Sequence, residues 1–222
     1  MFRGRTVNCI SYLVQEYSKR RMTYAKDRVT AVAGLEERLA EALTCDSRFG
    51  IFQRFLHRNL LWQASDNKSK RIAYDHPVPS WSWMAIDGEI RFLDAAANYS
   101  SDLPLQSNVN LRFNRTRREV LDADLGVLQG CTLELDVDHH KIVDLSGTKQ
   151  GWLQFDTVND RHIHTGQCVV VGKQGRIRED GIEIYLILAV VRTGILNEYR
   201  RIGAGEVVIS FVAKQYDNIT IV

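Results

Sequence analysis

Four tryptophans are the residues best able to shape a site. Trp62, Trp81, Trp83 and Trp152 each carry a large apolar ring and one N–H donor. Two of them stand close together in "PVPSWSWMAIDG", residues 77–88. Read as an extended segment, it places Trp81, Trp83 and Ala85 on one strand face and Ser82, Met84 and Ile86 on the other. Such a face would wall a hydrophobic pocket for a rigid hydrocarbon, provided one indole face stays uncovered. The same rings would serve equally well as a core where helices meet a sheet. Pro77 and Pro79 hold the chain extended and remove ladder donors. Asp87-Gly88 reads as a two-residue hairpin turn, with "EIRFL" as the returning strand.

Other chemistry-bearing residues are less well placed. His162 and His164, in "RHIHT", point the same way if the segment is a strand, which could begin a metal site. The sequence places no third ligand, and His139 and His140 face opposite ways. There is no nucleophile elbow, Walker loop or dinucleotide fingerprint. "GKQGRIREDG" lies between two apolar runs and reads as a hairpin loop. "IGAGE" sets glycines before a strand, the wrong context for a phosphate, which prefers a helix start. Arg112, Arg115, Arg117 and Arg118 form a basic stretch interleaved only with Phe113. That is expected to be an exposed charged loop, since a nucleic-acid groove needs stacking aromatics. No carboxylate pair is placed as acid and base, and Asp136 and Asp138 are expected on a solvated strand face. The expectation is a chain working without metal or cofactor.

Bulk properties narrow the class. At 222 residues and 45% apolar, the chain suits one large domain or two small ones, with ample core. A net charge of +2 points to neither a nucleic-acid partner nor a membrane surface. Three prolines are too few for long disordered linkers. Cys9, Cys45, Cys131 and Cys168 are scattered without a CxxC pair. They read as reduced, buried thiols of a cytoplasmic chain, not a disulfide framework or zinc site. The first residues hold no apolar run long enough for a secretion signal or membrane span. The sequons at Asn67, Asn98, Asn114 and Asn218 are therefore expected to stay unglycosylated.

The elements that must position these residues follow from periodicity. Val7, Ile10, Leu13, Val14 and Tyr17 recur at helical steps, and Val29, Val32, Leu35, Leu39 and Leu43 repeat the pattern. Asp27 falls in the first turn of that second helix, where a carboxylate suits the helix dipole. "SRFGIFQRFLHRN" predicts a third, short helix capped by Ser47. From Leu60 the period becomes two: "LLWQA" is a strand, "SDNKSKR" a loop. Residues 94–108 read as an exposed connection, "VNLRF" as a strand and "NRTRREVLDADLG" as a charged loop. In "CTLELDVD", Cys131, Leu133, Leu135 and Val137 alternate with Thr132, Glu134, Asp136 and Asp138, giving a half-buried strand. "IEIYLILAVV", apolar on both faces, predicts a central strand, and "QCVVVG" and "EVVISFVA" are similar. The expected fold class is α+β. N-terminal helices (residues 1–58) pack on a mostly antiparallel β-sheet or barrel (residues 59–222) in one compact unit.

"VQEYSKRRMTYAKDRVTAVAGL", "LHRNLLW", "VPSWSWMAIDG", "EYRRIGAGEV" and the closing "ITIV" carry a family likeness, in that order along nearly the whole chain. Together they resemble the C-terminal region of fungal heterokaryon incompatibility (HET) domain proteins. In that family a HET module, similar to a TIR fold and assigned the death-triggering activity, normally precedes this region. Here Met1 lies a few residues before the first matching helix, so the expectation is a fragment or a stand-alone product of the C-terminal half. Stand-alone HET-like proteins of fungal secondary metabolism include norbornene-forming Diels–Alderases. Likeness to these in family and size implies a cofactor-free pericyclase acting on a small hydrophobic terpenoid substrate.

An intramolecular Diels–Alder reaction moves no protons and needs no nucleophile. Folding the substrate in a shaped apolar cavity lowers the barrier, and a donor to a carbonyl on the dienophile stabilises growing charge. A rate factor of about ten to a thousand needs about 1.4 to 4 kcal/mol from that contact. On this reading Trp62, Trp81, Trp83 and Trp152 wall the cavity, Tyr185 is the candidate donor, and Tyr199 and Arg201 are further candidates. The alternative for Tyr185 is a core tyrosine bonded to a backbone carbonyl. The rival function is a HET-protein C-terminal interaction or regulatory module without catalytic activity, marked by an exposed apolar patch instead of a deep cavity.

Overall fold

A computed structural model describes residues 3–20, 22–66, 68–93, 106–107, 110–136, 139–163, 165–174 and 181–222. The two helical stripes form as predicted. Helix α1 (Arg3–Ser18) buries Val7, Ile10 and Val14, with Leu13 and Tyr17 partly covered. Helix α2 (Arg28–Leu43) follows a 3-10 turn at Ala25–Asp27 and ends where Thr44 turns left-handed, φ 51. Asp27 occupies the N-cap position but makes no side-chain cap bond. Val32 and Leu43 are buried, whereas Leu35 stays 40% exposed.

The predicted third helix is mostly something else. Ser47–Arg48 (β1) and Ile51–Phe52 (β2) form a tight hairpin that reverses at Phe49 and Gly50, φ 52 and 74. A helix cannot hold two left-handed residues, so the apolar spacing there misleads. Gly50 is also required by packing: a Cβ would lie 2.5 Å from Trp83 Nε1. Only after a 3-10 turn at Gln53–Phe55 does a single helical turn appear, α3 (Leu56–Asn59).

The β part begins with β3 (Trp62–Ala64), β4 (Lys70–Arg71), β5 (Ile86–Asp87) and β6 (Ile90–Phe92). The "PSWSW" stretch is not a strand. It turns at Ser80–Ser82 and winds into a 3-10 helix at Trp83–Ala85, so Trp81 and Trp83 share no strand face. Asp87-Gly88 does reverse the chain, but it does not make a two-residue hairpin. Strand β5 pairs with β4, and the returning β6 pairs with β3.

Among the described residues the main sheet has ten strands. They are β7 (Gln106–Ser107), β8 (Arg112–Phe113), β9 (Leu121–Leu128), β10 (Cys131–Leu135), β11 (His140–Asp144), β12 (Lys149–Phe155), β13 (Gln167–Lys173), β14 (Ile184–Arg192), β15 (Glu198–Val208) and β16 (Val212–Ile221). The order β10-β11-β12-β15-β14-β13-β9-β16 closes on itself, because β16 also pairs in parallel with the start of β15. Strands β15, β14, β13, β9 and β16 thus form a ring. Strands β10 to β12 are a wing attached to the far half of β15.

Strand β14 is central, as its two apolar faces predict. Leu186, Leu188 and Val190 enter the main core with Val169 and Val171 of β13, while Ile187 and Ala189 pack in outer clusters with Ile142, Leu153 and Phe155 of the wing. Several other expectations need correction. The charged loop ends at Val120, where β9 begins: Leu121, Ala123 and Leu125 alternate inward, beside Asp122 and Asp124. "EVVISFVA" is not one strand but the end of β15, a 3-10 turn at Ile209–Phe211 and the start of β16. "RHIHT" is not a strand either: Val158–His162 is a 3-10 helix, and His164 lies outside the described residues. The glycines of "IGAGE" lie within β15, not before it. A Cβ at Gly205 would sit 2.0 Å from Trp152 O, so glycine lets β12 approach β15 closely. The connection predicted at residues 94–108 lies outside the described residues except for β7, as do Val137 and Asp138.

Candidate functional site

The aromatic candidates occupy one core, and their positions are set by hydrogen bonds to the backbone. Ser82 caps the 3-10 turn: its Oγ accepts from Met84 N at 3.0 Å and donates to Phe49 O at 2.8 Å. Ser80 Oγ accepts Arg201 N at 2.8 Å and donates to Val222 O. These bonds lock Trp81 and Trp83 between the helices and the ring of strands. Trp62 Nε1 donates to Trp81 O at 2.9 Å, Trp81 Nε1 to Glu119 O at 3.1 Å and Trp83 Nε1 to Gly50 O at 3.4 Å. Edge contacts complete the packing: Trp81 with Phe49 at 5.9 Å, and Trp83 with Tyr17 at 6.1 Å between centroids.

Trp62, Trp81 and Trp83 are each 0% exposed. A ring with no surface reachable by a water-sized sphere borders no void that holds a water. Each indole N–H is committed to a backbone carbonyl. The three rings therefore present neither an uncovered face nor a free donor. Trp152, on β12, is half-buried at the rim of the main core, with its ring edge against His139 at 5.8 Å.

Arg201 is the centre of this core. It is fully buried and faces Asp156, also buried, through two bonds of 3.0 Å from Nε and Nη2. Nη1 donates to Leu60 O at 2.6 Å and Nη2 to Trp62 O. Its guanidinium carbon lies 3.5 Å over the Trp62 ring. Burial pushes the Asp156 carboxyl above its ordinary range, opposed by the Arg201 charge, and pushes the Arg201 guanidinium down, opposed by Asp156. With these bonds made, all but one of the guanidinium N–H donors are used. Arg201 ties β15 to β3 and β12.

A second acid continues the network outward. Asp160 accepts from Arg200 at 2.8 Å, Arg71 at 3.3 Å and Thr157 Oγ1 at 2.7 Å. Arg71 also donates to Arg201 O at 2.7 Å.

The remaining candidates do not converge with the tryptophans into one cavity. Tyr199 is buried in the main core, and its hydroxyl accepts from Arg192 Nε at 3.1 Å. Tyr185 is half-buried in a different cluster, beside Cys168, Ile187 and Val207 under the wing.

Sequence reasoning missed Asp156, the partner that defines Arg201. Its only signal is a single acid closing the apolar run "WLQF". It also missed a cleft between α1 and α2. This opening is shallow, with about 20 Å³ of accessible space, and is lined by Leu13, Tyr17, Leu35 and Leu39, with Phe52 and Trp83 sealed beneath. Glu36 is the one acid on its wall. Burial pushes the Glu36 carboxyl up, while bonds from the Gly50 N–H and the Ser47 side chain pull it back.

Among the described residues the most exposed adjacent apolar pair is Ile195 and Leu196, 64% and 87% exposed, on the turn between β14 and β15. All four cysteines are free, but only Cys168 is buried as expected; Cys45 and Cys131 are half-buried and Cys9, on the outer side of α1, is exposed. Among the described residues no group of three His, Cys, Asp or Glu side chains could hold a metal ion, and no helix is long and apolar enough to cross a membrane. No family model, curated protein or solved structure matches the chain.

Proposed function

We propose that the chain is an interaction module without catalytic activity, of the kind that forms the C-terminal region of HET proteins. The observation that carries this reading is the placing of apolar surface. Three of the four rings that would wall a catalytic cavity, Trp62, Trp81 and Trp83, are fully buried, whereas Ile195 and Leu196 stand side by side in solvent. Buried aromatics with satisfied donors support a scaffold, and an apolar pair on a fixed turn supports a contact surface. Arg201, once a candidate donor, is tied to Asp156 and two carbonyls and is not free to polarise a substrate.

The test places a photo-reactive phenylalanine analogue at position 196 and irradiates the chain in its own cells. A discrete adduct at 196, missing when the analogue stands at Leu145, supports a module. Diffuse or absent crosslinking at 196 overturns it.

One observation favours a second reading, a pericyclase acting on a hydrophobic terpenoid. The α1–α2 cleft is apolar and backed by Trp83, and with about 20 Å³ of accessible space it must widen to admit a terpenoid. In this reading the substrate folds there, against Tyr17 and Leu39. Incubation with a cyclopentadiene-bearing diterpenoid decides it: no acceleration and no stereochemical bias over buffer removes the reading.

A further inference from the structure

We propose that the free edge of β10 pairs with the β10 of a second copy of this chain, joining the two sheets across a twofold axis. The contact lies on a different surface from the Ile195–Leu196 turn and stands or falls separately from the module reading.

Strand β10 ends the sheet order and, among the described residues, pairs with β11 alone. The register fixes which of its backbone groups are used. Asp136 N donates to His139 O at 2.8 Å, and bonded pairs recur at every second residue of an antiparallel ladder. Glu134 with Lys141 and Thr132 with Val143 are then the bonded pairs. The N–H and C=O groups of Cys131, Leu133 and Leu135 therefore point away from β11, in a row. Edges of this kind are ordinarily blunted by proline, lysine or a bulge. "CTLEL" holds neither proline nor lysine, and its register with β11 is unbroken. Leu135, at the end of the strand, is 71% exposed.

The edge fits a second copy of itself, and charge selects the register. With Leu133 opposite Leu133 of the other copy, Cys131 faces Leu135 and Thr132 faces Glu134. The outward groups of Cys131, Leu133 and Leu135 then bond one another across the axis. Leu135 gains an apolar neighbour, and the Glu134 carboxylate meets a hydroxyl. Sliding one copy by two residues one way sets Glu134 against Glu134, and like charges directly opposite destabilise a ladder. Sliding it the other way leaves Leu135 outside the pairing. In the favoured register one patch serves both copies, so association closes at a dimer and leaves no free edge on either β10.

The experiment traps this register. Thr132 and Glu134 are both exposed, so cysteine at either position spares the core. In a Cys9→Ser background, which removes the exposed native thiol, Thr132→Cys and Glu134→Cys chains are oxidised with copper–phenanthroline, separately and mixed. The two positions face each other as a non-bonded pair, about 4.5 Å between Cα atoms, within reach of a disulfide. The mixture gives a covalent dimer of one chain of each kind, and either variant alone gives only the trace expected of random collision.

Sedimentation of the uncrosslinked full chain supplies the second reading. The wild-type mass rises from monomer toward dimer, and no further, across a concentration series. Leu135→Pro removes an outward N–H that β11 does not use, and symmetry removes it twice. It weakens association about tenfold to a hundredfold, while circular dichroism and melting show the fold intact. Leu196→Glu leaves both the trapped dimer and the sedimentation unchanged.

A mixture that fails to crosslink, or a single variant that crosslinks as readily as the mixture, overturns the inference. So does a wild-type chain that stays monomeric throughout. Loss of the dimer in Leu196→Glu moves the interface to the turn, which removes β10 pairing and leaves the module standing.

Discussion

Replacing Arg201 by methionine tests the core at its most committed point. The substitution keeps length and removes charge. It leaves Asp156, 1% exposed, without its cation, and leaves Leu60 O and Trp62 O without their guanidinium donors. Breaking a buried pair from one side costs about 3–5 kcal/mol, since an uncompensated charge stays behind. At about 2–4 °C per kcal/mol for a chain of this size, the midpoint falls by roughly 6–20 °C. Urea and thermal unfolding followed by tryptophan fluorescence read it directly, because the guanidinium lies over Trp62.

Two features identify the cause. In the Arg201→Met variant, Asp156 is buried without a counter-ion, so its folded pKa rises well above its unfolded value. Stability from its protonated form is then fully present below the unfolded pKa and lost as pH rises through the folded one. The deficit therefore shrinks in acid and is largest near neutrality. The double variant Arg201→Met/Asp156→Leu removes the stranded charge and is less destabilised than the two single losses added together. An Arg201→Met protein within about 1 kcal/mol of the parent at neutral pH refutes the assigned role.

Gly205→Ala forces a methyl group into Trp152 O, 2.0 Å from the Cβ position, so β12 and β15 must separate. The expected loss is about 3 kcal/mol or more by urea unfolding, and a loss under about 1 kcal/mol contradicts the close approach. The Asp144 carboxyl is held down to about 2 by bonds from Ser146, Thr148 and Gln150. Its contribution is present above the unfolded value of 3.8 and fades as pH falls toward 2; an Asp144→Ala variant loses that acid-side slope, as pH-dependent melting would show. Burial raises the Cys168 thiol to about 12, so thiol reagents label exposed Cys9 first in the folded chain and reach Cys168 only after unfolding, as mass spectrometry of labelled peptides would show.

What was legible in the sequence was regular alternation over many residues. The stripes of α1 and α2 and the doubly apolar β14 depend on their own neighbours and were read correctly. Short stretches governed by distant partners were not. Trp81-Ser82-Trp83 imitates strand alternation, but Ser80 and Ser82 bond to Val222, Arg201 and Phe49, contacts no local pattern announces. Strand β9 was hidden because Asp122 and Asp124 follow an arginine-rich stretch and made its start look like loop. Arg201 stood out as a candidate, yet its meaning depends on Asp156, 45 residues earlier. The apolar tip did leave a trace. In "TGILNE" two large aliphatics lie between a glycine and an asparagine, where turns are ordinarily polar.

The claim beneath the whole account is that the tryptophans are scaffold and not cavity wall. Their indole N–H signals in a two-dimensional proton–nitrogen NMR spectrum test it most directly. The account predicts that the N–H protons of Trp62, Trp81 and Trp83 exchange slowly with solvent and do not move when a saturating hydrophobic terpenoid is added. Rapid exchange, or a ligand-dependent shift at any of the three, would contradict it.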